Sequence, residues 1–158
     1  MRVIRWIALL AGVVLFGVSF MLPAVKEASA GPHATGMPGY KCATLTLIVP
    51  WGSDGFRLLR QSPLQYFAIL FSGWINPAFV IALLLVLFKP RWRPALVFRW
   101  VVTFMFVSCW IVFYEVHLHP LTGYFVWMFG ILLTLFSNKL GEVNRAQEQA
   151  PFSEKGLK

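Results

Sequence analysis

A chain of 158 residues that is 58% hydrophobic and 13% charged, with seven Trp and fifteen Phe, carries more apolar surface than one small water-soluble core can hide. Its net charge of +8 would suit nucleic acid, but the cations sit at the ends of apolar blocks instead of across a polar surface, which excludes nucleic acid as a partner. The lipid bilayer is the expected solvent, and the fold class that follows is an all-α membrane protein.

A helix crosses the roughly 30 Å hydrocarbon core with about 20 residues, and four blocks are read as spans. The first is 3–22, closed by Pro23. Its basic start, apolar middle and small residues Ala28 to Ala30 also have the parts of a cleaved signal peptide. The apolar run exceeds the roughly 7–15 residues of a signal core, so the segment reads as a retained span, with cleavage as the alternative.

Residues 23–65 form the largest extramembrane piece, a small cap on the periplasmic side between the first and second helices. "GPHATGMPGYK" is rich in Gly and Pro and predicts an irregular linker. "CATLTLIVPW" is too short to span; a strand there would lack a partner, so the segment is expected to lie in the interface against the helix ends. "GSDGFRLLRQSPLQYF" predicts a turn and a short amphipathic helix, capped by Ser53 or Asp54, with Phe56, Leu58, Leu59 and Leu64 facing lipid.

The second span, 66–88, contains "GWINP". Pro77 removes a backbone donor and should kink the helix, while Asn76 needs a partner on another helix or in a wet cleft. These two are candidate hinge or polar positions; the plainer reading is a kink near the outer end with Asn76 bonded to a neighbour. The basic turn 89–94, "KPRWRP", then leads to the third span, 95–114. Lys89, Arg91, Arg93 and Arg99 are the topology determinants, Arg99 reaching back to the surface from one turn inside the span.

"YEVHLHP" follows, holding Glu115, His117 and His119, a carboxylate and two imidazoles of the kind that bind metal or relay protons. Residues two apart point about 200° from each other on a helix, so no helical face presents both His. An extended segment could align the three, yet a metal would still need His33 or Cys42 as a further ligand. The plainer reading is a solvated helix end, and neither a metal nor a cofactor is assigned. The fourth span, 121–136, passes into a polar cytoplasmic tail, 137–158, expected to extend the helix briefly and then fray.

Counting Lys and Arg, ten of the 14 fall on the side of the termini and the 89–94 turn, and Lys26, Lys41, Arg57 and Arg60 fall on the other. That asymmetry places both termini in the cytoplasm. Trp6, Trp92, Trp100, Tyr66, Tyr114 and Tyr124 fall near the span boundaries as an interfacial belt, with Trp74, Trp110 and Trp127 filling helix contacts deeper down. Cys42 and Cys109 should lie too far apart in depth for a disulfide. Ser72, Thr103, Ser108 and Thr134 can bond to their own helices. No HExxH, phosphate loop, paired carboxylates or Ser, His and Asp set marks a catalytic site, so no catalytic residue is assigned.

The "SFMLPAV" ending of the first span, the Gly-rich loop with "GYKC", the "GWINP" pattern and the basic turn after it resemble a broad group of small, uncharacterised four-span bacterial inner-membrane proteins. The resemblance covers most of 3–139 and implies a multi-pass protein of the bacterial inner (plasma) membrane, with no reaction to carry over. Two function classes follow. One is a non-catalytic accessory protein or subunit of a membrane complex, acting through helix and outer-loop contacts with another membrane protein or by self-association. The other is a component of a small oligomeric transporter or channel, with Asn76, Glu115 and the two His near its outer mouth. The near absence of charge inside the spans favours the first.

Overall fold

The apolar run after Arg2 forms helix α1 (Arg2–Ser19) in the computed structural model, which describes residues 2–29, 31, 34–88 and 93–153. The chain then turns at residues 20–22 into strand β1 (Pro23–Glu27) and, ten residues on, strand β2 (Met37–Pro38). Helix α2 (Gly39–Ile48), a 3₁₀ turn (Val49–Trp51) and helix α3 (Ser53–Gln61) complete the cap. The uncharged stretch Pro63–Phe88 is helix α4, followed by helix α5 (Arg93–Glu115), strand β3 (Leu118–Pro120) and helix α6 (Thr122–Ser153).

The chain is thus mostly helical, with six α-helices among the described residues. Two of them, α4 and α5, are long and apolar enough to cross a membrane; the apolar stretches Val3–Ser19 and Thr122–Ser137 are shorter. Pro94 in the first turn of α5 suits a helix start, where its missing N–H has no intrahelical partner to lose. Lys89 and Arg91, the first cations of the basic turn, lie outside the described residues; Arg93 is the exposed first residue of α5.

Three features differ from the sequence reading. The fold is not purely helical: β1 sits in the middle of a three-stranded antiparallel sheet, ordered β2-β1-β3, pairing Val25 with Met37 on one side and Val25, Lys26 and Glu27 with Pro120, His119 and Leu118 on the other. A short strand is stable only with partners, and β1 draws both from remote parts of the chain. Second, Cys42–Ile48, from the "CATLTLIVPW" segment, is helical, and α3 begins after Gly52, which takes the cap position expected of Ser53 or Asp54. Third, α6 runs to Ser153, far past the brief extension expected of the tail, because residues 139–150 are mostly good helix formers such as Leu, Glu, Ala, Gln and Lys.

Packing divides the helices into two main pairs, α1 with α6 and α4 with α5. The first depends on small residues. A Cβ on Gly12 would sit 2.8 Å from the Gly130 carbonyl oxygen, and one on Gly130 would sit 2.7 Å from the Phe16 amide nitrogen, so the backbones meet with nothing between them. The shared core joins Ile75, Phe79 and Ala82 of α4 to Val102 and Phe106 of α5 and Ile131 and Leu135 of α6, with Phe16 of α1 against it. At the end away from the sheet, Arg5 donates from Nη2 to the Val86 carbonyl at 3.2 Å, satisfying an acceptor in the last turn of α4.

Candidate functional site

The sheet, α2 and α3 gather at one end of the helices. There α2 lies against α4: a Cβ on Gly73 would come within 2.7 Å of the Thr46 carbonyl carbon and 3.0 Å of the Leu47 nitrogen, a closeness only glycine permits. The start of α2 is pinned to the end of α1 by Gly39 and Tyr40, whose amides donate to the carbonyls of Leu22 and Phe20 at 3.0 Å each. Between α2 and β1 on one side and α4, α5 and α6 on the other, this arrangement forms a half-open cavity of about 430 Å³.

Its wall is largely apolar, with Phe20, Val25, Leu45, Val112, Phe113 and Leu118 prominent. The polar groups on it are few. Ser72 and Thr46 donate their hydroxyls to their own helices, to the carbonyls of Ile69 (2.9 Å) and Cys42 (2.9 Å). Lys26 and Glu27 stand where β1 borders the cavity. Asn76 and Tyr124 remain.

Asn76 accepts a hydrogen bond at Oδ1 from Trp127 Nε1, 2.9 Å away on α6. The indole N–H can only donate, which fixes the amide's orientation and turns its NH₂ group away from the tryptophan. Tyr124, 4% exposed, lies in the same wall. Its ring is held edge-on by Trp110 and Phe113 and inclined against Trp127, at centroid distances of 6.0, 4.8 and 5.6 Å. Its hydroxyl is buried without a hydrogen-bond partner. An unsatisfied buried hydroxyl of this kind costs about 1–3 kcal/mol.

Both cysteines line this cavity and both are free, with no disulfide between them as the sequence predicts, although Cys42 reaches the cavity from the cap. The reason is α2, which folds back along α4 and carries Cys42 with it. Burial pushes the Cys42 thiol up to about 11, against a smaller lowering from a backbone hydrogen bond, so it is protonated at neutral pH.

The other sequence candidates are elsewhere. Pro77 lies within α4, which continues through it to Phe88. Glu115 ends α5, His117 follows in a left-handed turn with φ of 55°, and His119 is in β3 opposite Lys26. Helix, turn and strand in succession scatter the three exposed side chains, and among the described residues no group of three His, Cys, Asp or Glu gathers for a metal. His33 lies outside the described residues. Arg99 is buried at 5% exposure instead of reaching to the surface. Trp74 and Trp110, expected to fill helix contacts, each keep close to half their surface exposed, whereas Tyr124, expected in the boundary belt, is buried. Ser72, Thr103, Ser108 and Thr134 all donate to carbonyls of their own helices, as read from the sequence.

Tyr124 and Trp127 were not singled out as site residues by the sequence. Their signal was the spacing 124, 127, 131 and 135, which puts both on the buried face of one helix. No family model, curated protein or solved structure matches this chain.

Proposed function

We propose that the chain is a four-span protein of the bacterial inner membrane with both termini in the cytoplasm, and that it acts by binding, as a non-catalytic accessory protein or subunit of a membrane complex. The count of cations on the two sides supports the orientation. Retention of the first span is supported by its place in the fold: α1 fills the glycine notch of α6, and β1, which also precedes Ala30, is the central strand of the sheet.

The observation that carries binding over transport is how the cavity ends. One or two turns beyond its floor, α4 presents Phe79 and Ala82, α5 presents Phe106 and Val102, and α6 presents Ile131 and Leu135, all buried. Thr134 and Ser137, buried on α6, donate to carbonyls of that same helix. A single copy therefore offers an ion or polar solute an apolar plug where a carrier needs polar partners near mid-membrane. On the outside, Phe71, Val101, Phe104 and Val107 expose apolar faces suited to lipid or to another membrane protein.

The deciding experiment is gentle purification from the native membrane, with mass spectrometry of whatever co-purifies stoichiometrically against an unrelated four-span control. A specific partner supports the subunit reading. A homo-oligomer that conducts ions or solute in liposomes overturns it in favour of transport.

A further inference from the structure

We infer that an apolar groove along the exposed face of α5 binds an anionic phospholipid of the cytoplasmic leaflet, with an acyl chain in the groove and the phosphate at Arg93. The inference rests on the membrane placement proposed above and adds a ligand to it. Val97, Trp100, Val101, Phe104 and Met105 line the groove, and Phe71 of α4 borders it. It is half-open, measures about 560 Å³ and presents an almost wholly hydrocarbon surface. Its one hydroxyl, that of Ser108, donates to the Met105 carbonyl of its own helix, so nothing there asks for a polar ligand. Trp100 is backed edge-on by Phe136 of α6, with 6.1 Å between ring centroids, which sets one wall in advance of any ligand.

Helical spacing puts a cation at the mouth of this groove. Arg93 is exposed and stands four residues before Val97, on the face that 97, 100, 101, 104 and 108 continue. Helical side chains lean towards the N-terminus of their helix, so a guanidinium at Arg93 belongs at headgroup level, above a tail lying along the groove. From Arg93 to Ser108 is fifteen residues, or about 22 Å of helix. One leaflet with its headgroups is half of roughly 40–45 Å, so a single lipid covers the same depth. Charge decides the occupant. The sequence has no acidic residue between Asp54 and Glu115, so α4 supplies no carboxylate for Arg93 and α5 only Glu115, at its opposite end. On the proposed orientation, ten cations at this side face three carboxylates, Glu142, Glu148 and Glu154, all in the tail. A partner helix would have to bring its own carboxylate to this depth, whereas the cytoplasmic leaflet already holds anionic phosphates there. The planar fork of an Arg pairs with two phosphate oxygens at once.

The test uses the full chain in phosphatidylcholine nanodiscs and two photoreactive lipids, a phosphatidylglycerol and a phosphatidylcholine, each with a diazirine midway along one acyl chain. Peptide mass spectrometry maps the adducts. Saturable adducts are expected on Val101, Phe104 and Met105, with the phosphatidylglycerol probe ahead by at least about fivefold, the value of one cation beside an anionic surface. Arg93→Gln should remove about that factor, and Arg93→Lys, which keeps the charge, should retain it. Arg57→Gln, at an exposed position on α3 on the opposite side, should change nothing. Val97→Trp, at an exposed position on the groove, should block adducts on Phe104 while leaving the cation in place.

Equal labelling by the two headgroups, or labelling indifferent to Arg93→Gln and to Val97→Trp, overturns the lipid site and leaves the membrane placement standing. A face that is labelled in nanodiscs but shielded in native membranes is covered by a partner helix, which overturns the lipid in favour of that protein. A chain that stays soluble without detergent, and takes no adduct along α5, overturns both the lipid and the placement.

Discussion

Replacing Gly73 by Ala tests how the cap is seated. The new methyl would lie 2.7 Å from the Thr46 carbonyl carbon, and nearer still to its oxygen, where ordinary contact begins at 3.4 Å, so α2 must retreat by more than about 0.7 Å. Both neighbours are backbone atoms of a helix and cannot rotate aside. Overpacking of this kind costs about 1–3 kcal/mol, and Ala's better helix preference returns roughly 0.5–1 kcal/mol. The net loss of stability is up to about 2.5 kcal/mol. The local consequence is larger, because the shift uncovers Cys42. In the wild type the thiol is pushed up to about 11 from 9.0, so thiolate is scarce below pH 9, and maleimide labelling should rise about tenfold per pH unit from 8 towards 11. Relieving the burial brings the thiol back towards 9.0, and labelling at pH 8 should increase by up to about 100-fold. Labelling in nanodiscs, assigned to Cys42 by peptide mapping, reads this directly. Wild-type labelling together with unchanged stability in Gly73→Ala would refute the close contact of α2 with α4.

Gly130→Ala should loosen α1 from α6 and lower stability by about 1–3 kcal/mol, whereas Gly17→Ala, with nothing within 4 Å of the added methyl, should be neutral or stabilise by a few tenths of a kcal/mol; denaturation in mild detergent compares them. Asn76→Leu deprives the Trp127 N–H of its acceptor and should cost about 1–3 kcal/mol in the same assay. Arg5→Gln shortens the reach to the Val86 carbonyl and should cost about 0.5–1.5 kcal/mol. His117→Gly, which relieves a left-handed residue in the turn before β3, should stabilise by up to about 1 kcal/mol, and Glu115→Ala on the exposed end of α5 should change stability by less than about 0.5 kcal/mol.

What could be read in advance follows the range of the forces involved. The α4 and α5 helices are legible because long apolar runs end at local signals, Phe88 before the cations of "KPRWRP" and Tyr114 at the polar "EVHLHP". Asn76 was recognised as needing a partner, but not which one, since Trp127 is 51 positions away. The sheet was invisible because "PAVKE" has a strand pattern too short to stand alone, and β3 joins it from across the chain. Tyr124 was misplaced for a related reason: its position at the start of a span suggested the boundary belt, and only tertiary packing around Trp110, Phe113 and Trp127 buries it. The polarity of the 137–158 tail predicts fraying, whereas helix propensity carries α6 on to Ser153.

The pairing of α1 with α6 also sets a timetable for biogenesis. The chain is made from its N-terminus, so α1 is complete while its glycine-notched partner is still more than 100 residues from being synthesised. The central strand β1 waits in the same way for Leu118–Pro120. The α4 and α5 pair, neighbours in sequence and packed together, can assemble first; the ends of the chain close over it last. On the membrane placement proposed above, lipid or an insertion factor holds the first helix until then, and any message truncated before Thr122 would leave it with its notch unfilled.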